Sequence, residues 1–316
     1  MLTKERSYYK PFDYPWAFDF YQKQQQMHWL PSEVILADDL KDYGSLSNDQ
    51  RTLVRNILRF FTQADVDVCG GYAELFLPNF KPPEIRMMLA AFAAMEGVHQ
   101  EAYALLNETL GLPDEEYQEF YKYREMLSKH EFLEQCKIDT PADMARTLAV
   151  YSGFTEGVSL FSSFAILLNF QRFNLMKGMG QIVTWSIRDE SLHVEGMTQL
   201  FRTFIRENPE IWDDNLKYQI YNAAEDIVKL EKEFIDLCFS DAKVPGLKAE
   251  EVKRYVEYIA NRRLLSLGMK AIFECDNNPL EWLDSLLSIE HVNFFENRST
   301  SYAKGTSTGK WGDIFK

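Results

Sequence analysis

Residues 92–99 read FAAMEGVH, and residues 186–193 read SIRDESLH. Each stretch ends in the pattern Glu-x-x-His, formed by Glu96 with His99 and by Glu190 with His193. Residues three apart on a helix share a face, so each pair can present a carboxylate and an imidazole to one metal ion. One such pair would be unremarkable, but two pairs among five histidines are seldom expected by chance. The two stretches therefore predict helices that carry metal ligands.

Asp65 is predicted to lie beside the first pair. The stretch PNFKPP at residues 78–83 predicts a turn between two long helices, and Asp65 and Glu96 lie equally far from this turn. Residues equidistant from the turn of a helical hairpin lie level on its two antiparallel helices. Asp65 and Glu96 are therefore expected to face each other.

Glu156 is predicted to occupy the same place beside the second pair. The midpoint of Glu156 and Glu190 is Phe173, inside a predicted joint at residues 169–180 that is less sharply punctuated. The alternative for Glu156, as for Asp65, is an ordinary solvated helix residue. The apolar sequence GVSLFSSF that follows Glu156 favours burial instead.

The six residues together are the ligand set of a carboxylate-bridged dinuclear metal site in a four-helix bundle. Four carboxylates carry four negative charges, which two divalent cations balance. Oxygen and imidazole ligands suit several divalent metals, so the ligand set leaves the identity of the metal open. The predicted ligands are Asp65, Glu96, His99, Glu156, Glu190 and His193.

The rest of the sequence predicts an all-α helical bundle, and a dinuclear carboxylate–histidine ligand set inside such a bundle is typical of the ferritin-like type. The 316 residues include 15 glycines and 11 prolines, and the prolines fall between apolar-periodic segments. Helices are expected over residues 47–77, 84–110, 114–135, 141–170, 180–206, 210–240, 248–272 and 279–296. The predicted organisation is an N-terminal arm on the core (1–45), one helical domain (46–297) and a flexible C-terminal tail (298–316).

Composition excludes several classes of partner. The chain has 34 Lys and Arg against 48 Asp and Glu, a net charge of −14 that repels nucleic acid and anionic membranes. Its four cysteines are scattered, which indicates reduced thiols rather than a disulfide framework. No signal peptide and no long apolar run are visible, so the protein is expected in the cytoplasm.

Tyr103 is the candidate redox residue. It follows His99 by four residues and so lies one turn along the same helix face. A tyrosine beside an oxidised metal pair can lose an electron and a proton, and a dry pocket would protect the radical. Leu160 and Phe164, on the predicted face of Glu156, could supply apolar walls. Ordinary core packing is the competing interpretation of all three residues.

Nearly the whole chain resembles the small, radical-generating subunit of class I ribonucleotide reductase. The six predicted ligands match the metal ligands of that family in order and spacing, Tyr103 matches its radical tyrosine, and residues 28–34 (HWLPSEV) resemble its N-terminal tryptophan motif. The resemblance implies two metal ions per chain, with a diiron-oxo site expected and manganese or mixed manganese–iron sites as alternatives. It also implies dependence on O2 and a homodimer.

The resemblance further implies transfer of the radical to a large (alpha) subunit, where ribonucleotides are reduced to deoxyribonucleotides. Trp29, Asp189 and His99 would form the inner part of the route, and Tyr302 would relay the radical at the subunit interface. The C-terminal tail, which ends WGDIFK at residues 311–316, would anchor the large subunit.

Three other functions are compatible with a similar ligand set or helical pattern. The first is a different ferritin-like oxygenase, such as a desaturase or a ligand-binding oxidase. The second is a ferritin-like protein for metal storage or peroxide scavenging, and the third is a helical scaffold without metal. Trp29, Asp189 and Tyr302 together favour the reductase. Cys69 and the remaining histidines, His28, His130 and His291, are expected to be core or surface residues.

Overall fold

The structure, a computed structural model, describes residues 1–240 and 242–287. Within these ranges it is helical and contains no β-strand, which confirms the predicted all-α class. The chain divides into two units, Met1–Pro279 and Leu280–Lys316. The first unit contains α1 (Pro15–Met27), α2 (Asp39–Ser45), α3 (Asn48–Gly70), α4 (Pro83–Thr109), α5 (Glu116–Glu119), α6 (Arg124–Glu134), α7 (Pro141–Ala149), α8 (Phe161–Gln171), α9 (Lys177–Glu207), α10 (Asp214–Phe239) and α11 (Ala249–Ser266).

Several helices begin where the sequence predicts, because polar side chains cap their free backbone N–H groups. At α3, Ser47 Oγ accepts a hydrogen bond from the Gln50 backbone N–H at 3.2 Å, and Gln50 Oε1 accepts from the Ser47 N–H at 3.1 Å. At α7, Thr140 and Asp143 form the same reciprocal arrangement, and Pro141 occupies the first helical position. Because these contacts join residues only three apart, the sequence alone predicts where α3 and α7 begin.

Two hairpins form the core of the bundle. The first consists of α3, a π-helical segment (Gly71–Phe76), a proline-rich turn and α4. The second joins α8 to α9 through residues 172–176, within the predicted joint. Between α7 and α8 lies a second π-helical segment (Val150–Ser159), which packs against α9, α10 and α11. One extra residue per turn distinguishes a π-helix from an α-helix, and such segments are frequent at functional sites.

Two of the predicted helices are wrong, and two others contain a π-helical segment. One helix over residues 114–135 is wrong: α5 and α6 are separated by a 3₁₀ turn and by an extended residue, Tyr123. The Arg59 guanidinium lies over the Tyr123 ring and donates to its hydroxyl at 2.9 Å, which holds Tyr123 out of a helix. The expected helix over 141–170 is present as one helical stretch, Pro141–Gln171, with the second π segment inside it, and the expected helix over 47–77 ends in the first π segment. Residues 248–272 also do not form one helix, because Gly268 adopts φ +85° just after α11 ends.

The first 45 residues, which the sequence predicts to be an arm on the core, contain α1 and α2. α1 packs against α4. In α2, the Asp39 carboxylate accepts hydrogen bonds from the backbone N–H groups of Gly178 (3.0 Å) and Met179 (2.7 Å), and so caps the start of α9. These contacts attach the N-terminal residues to the helices that surround the centre of the bundle.

Residues 141–171 are the one described stretch that is long and apolar enough to cross a membrane. Its most apolar window is entirely buried inside the protein, as expected of a core helix. The described part of the second unit is residues 280–287, of which 281–287 are helical. The predicted tail at 298–316, including Tyr302 and the WGDIFK end, lies outside the described residues.

Candidate metal centre

The six predicted ligands meet in the middle of the bundle. α3 provides Asp65, α4 provides Glu96 and His99, the second π segment provides Glu156, and α9 provides Glu190 and His193. All six side chains are buried, and none exposes more than 2% of its surface. Within the described part of the chain they form two groups of convergent ligand atoms, Asp65–Glu96–His99 and Glu96–Glu156–Glu190–His193, each with its atoms within 4.8 Å of one another. Glu96 belongs to both groups.

Both imidazoles point the same ring nitrogen at the carboxylates. His99 Nδ1 lies 3.4 Å from Glu96 Oε2 and 3.2 Å from Glu190 Oε1. His193 Nδ1 lies 2.9 Å from Glu96 Oε1 and 3.4 Å from Glu156 Oε1. Glu190 Oε2 lies 3.7 Å from His193 Nδ1, so Glu96 and Glu190 each lie within 4 Å of the Nδ1 atoms of both histidines.

Many polar atoms of this cluster are buried and have no hydrogen-bond partner among residues 1–240 and 242–287. Leaving such atoms unpaired costs about 1–3 kcal/mol each, and more when the group is charged. Two divalent cations would provide the missing partners and balance the four carboxylate charges. The donor set therefore fits a dinuclear metal site. The unpartnered atoms are Asp65 Oδ2, Glu96 Oε1 and Oε2, His99 Nδ1, Glu156 Oε2, Glu190 Oε1 and Oε2, and His193 Nδ1.

The pKa values of the ligand side chains without metal also indicate that the cluster is suited to cations. Burial, reinforced by the charge of Glu96, raises the pKa of Glu190 to about 8. Burial also raises the pKa values of Asp65 and Glu156. The pKa of His193 rises to about 10 although burial opposes it, because Glu156 and Glu96 stabilise the imidazolium. Without cations, protons thus occupy part of the cluster, and incoming metal ions would displace them.

The other ring nitrogen of His99, Nε2, faces the carboxylate of Asp189, which is not one of the six predicted ligands. His99 Nε2 lies 3.3 Å from Asp189 Oδ2, and Trp29 Nε1 donates to the same oxygen at 2.8 Å. The pKa of Asp189 is lowered despite burial, because His99 and Arg188 stabilise its negative charge. The structure brings Trp29, Asp189 and His99 together in the predicted order. A carboxylate behind a ligand histidine fixes the ring orientation and increases its basicity.

Tyr103 lies in a dry pocket one turn beyond His99. Its side chain is 1% exposed, and its hydroxyl donates to Ser186 Oγ at 3.1 Å. The Phe61 ring lies 4.7 Å from the Tyr103 ring, and Phe164 lies behind Phe61 at 5.1 Å. Burial and the nearby Asp65 raise the pKa of Tyr103 above its usual value, so the phenol keeps its proton. Leu160, the other predicted wall residue, is also buried.

Three neighbours of the centre are absent from the sequence prediction. Tyr72 donates its hydroxyl to Glu156 Oε1 at 2.7 Å, and its position seven residues after Asp65 is the signal that could have identified it. Ser186 lies seven residues before His193 and has the same kind of signal. Gln24 Oε1 lies 3.1 Å from His193 Nε2, while Gln24 Nε2 donates to Asp189 Oδ1 at 3.4 Å. Nothing in the local sequence of α1 indicates this role for Gln24.

The remaining candidates stand apart from the cluster. Cys69 is half-buried on α3 and its Sγ donates to the backbone carbonyl of Ala93 at 3.5 Å. His130 pairs with Asp67 at 2.7 Å on the outer side of α3. His28 is exposed. His291 lies outside the described residues.

Comparison with known proteins decides the family. Residues 6–279 match the family described as "Ribonucleotide reductase, small chain", which covers nearly all of the described chain. The chain belongs to this family. The expected identity as the small (beta) subunit of a ribonucleoside-diphosphate reductase, an oxidoreductase, is therefore confirmed.

Relatives and solved structures agree with this assignment. The small chain is 43% identical to a probable ribonucleoside-diphosphate reductase small subunit of invertebrate iridescent virus 6, over 99% of this chain and 98% of the relative. It is 30% identical to the ribonucleoside-diphosphate reductase subunit beta of Chlamydia pneumoniae, over 92% and 88% of the two chains.

Two solved structures share its fold. The crystal structure of a putative class I ribonucleotide reductase from Bacillus halodurans is 24% identical with a TM-score of 0.80, over 86% of this small chain and 99% of that one. The dimanganese(II)-NrdF of Streptococcus sanguinis is 20% identical with a TM-score of 0.76, over 88% and 96%. The predicted ferritin-like bundle is confirmed.

Proposed function

We propose that this small subunit holds two metal ions in its six-residue centre, uses O2 to oxidise Tyr103, and passes the stored radical to a large subunit that reduces ribonucleotides to deoxyribonucleotides. The observation that carries the proposal is the set of buried, unpartnered ligand atoms next to a buried tyrosine. A bound pair of redox-active metal ions would supply, with O2, the oxidising power that removes one electron from this tyrosine.

The residues that would hold the two ions are the six of the cluster. The Nδ1 atoms of His99 and His193 would be the nitrogen ligands, because their Nε2 atoms face Asp189 and Gln24 instead. Iron is the proposed metal, and manganese remains the alternative because the Streptococcus sanguinis protein of the same fold is a dimanganese(II) form. Metal analysis of the protein as purified, together with the radical yield after separate loading with iron and with manganese, distinguishes the two.

Tyr103 is proposed as the residue that stores the oxidising equivalent. On oxidation it would lose one electron and its phenolic proton. The apolar contact with Phe61 and the low exposure of the ring would keep water and reductants away from the radical. The hydrogen bond to Ser186 would hold the phenol in one orientation.

Electron paramagnetic resonance tests this role. The protein is loaded anaerobically with ferrous iron and exposed to O2, and a tyrosyl doublet is expected. Tyr103→Phe should bind the same two metal ions and lose the doublet. Tyr43→Phe is the matched control, because Tyr43 is a buried tyrosine of α2 whose hydroxyl has no hydrogen-bond partner within the described residues. A doublet that persists in Tyr103→Phe would refute the assignment.

Transfer to the large subunit is proposed to begin along His99, Asp189 and Trp29. The hydrogen bonds between these buried groups allow a charge and a proton to move in short steps. Asp189→Asn should keep the Tyr103 radical and reduce nucleotide reduction by orders of magnitude. Loss of the radical itself would contradict a role limited to transfer.

We propose that the C-terminal tail (298–316) forms the outer part of the radical-transfer route. Tyr302 would relay the radical, and residues 311–316 would bind the large subunit. Tyr302→Phe should keep the radical and stop nucleotide reduction, and deletion of residues 298–316 should also abolish co-sedimentation with the large subunit.

We also propose that the small subunit is a homodimer in the cytoplasm. Its proposed organisation is an arm (1–45), a helical domain (46–297) and a tail (298–316). Analytical ultracentrifugation of the full chain tests the dimer.

A further inference from the structure

Glu156 differs from the other carboxylates of the centre in having a phenol as its hydrogen-bond donor. Tyr72 donates to Glu156 Oε1 at 2.7 Å, and both side chains are fully buried. The same Oε1 lies 3.4 Å from His193 Nδ1, whereas Glu156 Oε2 has no hydrogen-bond partner in the part of the chain that the structure describes. The Tyr72 ring also meets the His193 ring edge-on, with centroids 6.2 Å apart.

Both members of this pair lie on π-helical segments. Tyr72 is the second residue of the segment Gly71–Phe76, and Glu156 lies in the segment Val150–Ser159. π-helical segments of this kind are rare and frequently lie at functional sites. Two contacts tie Glu156 Oε1 to other helical segments: the hydrogen bond from Tyr72 at 2.7 Å and the approach of His193 Nδ1 at 3.4 Å.

Tyr72 itself is held firmly. Tyr151 packs so closely against Gly71 that a Cβ there would stand 2.2 Å from Tyr151 Cε1. The Tyr72 ring contacts Phe76 and Phe92, at centroid distances of 6.1 Å in both cases. The phenol is therefore aimed at Glu156 by packing on either side.

We propose that Tyr72 is a positioning residue that orients Glu156 for one of the two metal ions. This inference rests on the proposed function, since it assumes a dinuclear site. Tyr72 would act through the carboxylate and would not bind metal itself. Hydrogen-bond partners of metal ligands typically contribute about 10–100-fold to metal affinity. Loss of the Tyr72 hydroxyl should therefore weaken one metal-binding step by about this factor and leave the other unchanged.

The test is an anaerobic titration of the full-length metal-free protein with Mn(II), in which free Mn(II) is followed by electron paramagnetic resonance. Wild type should bind two ions per chain. Glu156→Gln identifies the binding step that involves Glu156. Tyr72→Phe should weaken that same step by about 10–100-fold. Tyr43→Phe, the buried tyrosine without a hydrogen-bond partner, should match wild type.

Each outcome of the Mn(II) titration either supports or refutes the positioning role of Tyr72. A Tyr72→Phe titration that matches wild type, or one in which the other step weakens, overturns the positioning role while the dinuclear site stands. Fewer than two ions bound by wild type overturns both the proposed site and this inference. Phenylalanine fills the same space, so the metal-free Tyr72→Phe protein should still fold, with a somewhat lower Tm than Tyr43→Phe because Glu156 Oε1 loses its buried donor. A Tyr72→Phe protein that does not fold also overturns the proposal, because the hydroxyl would then serve folding.

Discussion

The buried ion pair between Lys129 and Glu231 offers a prediction about stability that is independent of metal. Lys129 Nζ on α6 lies 2.5 Å from Glu231 Oε1 on α10, and the two side chains are 3% and 0% exposed. Ser159 and Ser162 donate to the two oxygens of Glu231 at 3.0 and 2.7 Å. Lys129 also donates to the Ser159 carbonyl at 3.3 Å, so the pair anchors the end of the π segment that carries Glu156.

Removing one partner of a buried pair leaves an uncompensated charge, which costs about 3–5 kcal/mol, whereas replacing both is often close to neutral. Lys129→Met should therefore lower the free energy of unfolding of the metal-free protein by about 3–5 kcal/mol. With about 2.1 cal/mol/K of unfolding entropy per residue, this loss corresponds to a decrease in Tm of roughly 5–8 °C. Lys129→Met/Glu231→Gln should recover most of the loss, because the glutamine oxygen still accepts from a serine hydroxyl.

Urea unfolding followed by far-UV circular dichroism measures the free energies of unfolding of wild type and variants. Thermal scans at one fixed rate check that the Tm values rank the proteins in the same order. Both are made with a chelator present, so that metal binding does not contribute. A Lys129→Met protein within about 0.5 kcal/mol of wild type, the usual range for surface substitutions, would refute the reasoning. A double variant as unstable as the sum of the two single variants would refute it too, because the coupling between the partners would then be absent.

Three further predictions concern metal, packing and thiol chemistry. Divalent cations at 100 times their dissociation constant should stabilise the folded protein by about 2.7 kcal/mol per independent site and so raise its Tm. A chelator should reverse this rise. An unchanged Tm would contradict a metal site that exists only in the folded state. Gly71→Ala should destabilise the protein by about 1–3 kcal/mol, because its Cβ would stand 2.2 Å from Tyr151 Cε1, whereas Gly70→Ala, with nothing within 4 Å, should not destabilise it. Burial raises the pKa of Cys136 to about 11 from the usual 9.0, so at pH 8 it should react with iodoacetamide about 100-fold more slowly than in the unfolded chain and faster as the pH rises toward 11. Peptide mass spectrometry measures this rate, and equal rates in the folded and unfolded chains would contradict the prediction.

Where the physical cause is local, the sequence determines the structure directly. The caps at Ser47 and Thr140 act within three residues, so the starts of α3 and α7 are readable from the chain. The i, i+3 spacing of the Glu-x-x-His pairs places carboxylate and imidazole on one helix face wherever the helix packs. The position of Asp65 opposite Glu96 follows from the proline-rich turn, because level positions in a hairpin depend only on counting from that turn.

Contacts between residues distant in sequence decide the rest. The extended backbone at Tyr123, which divides the predicted helix, is stabilised by Arg59 from α3. The π segments distort helices that the apolar pattern alone predicts to be regular. The phenol of Tyr72 reaches Glu156 from 84 positions away, and Gln24 reaches His193 from 169 away. Helical periodicity specifies which face of a helix is buried, but the partner that the face meets depends on how all the helices pack, and only the tertiary structure determines that.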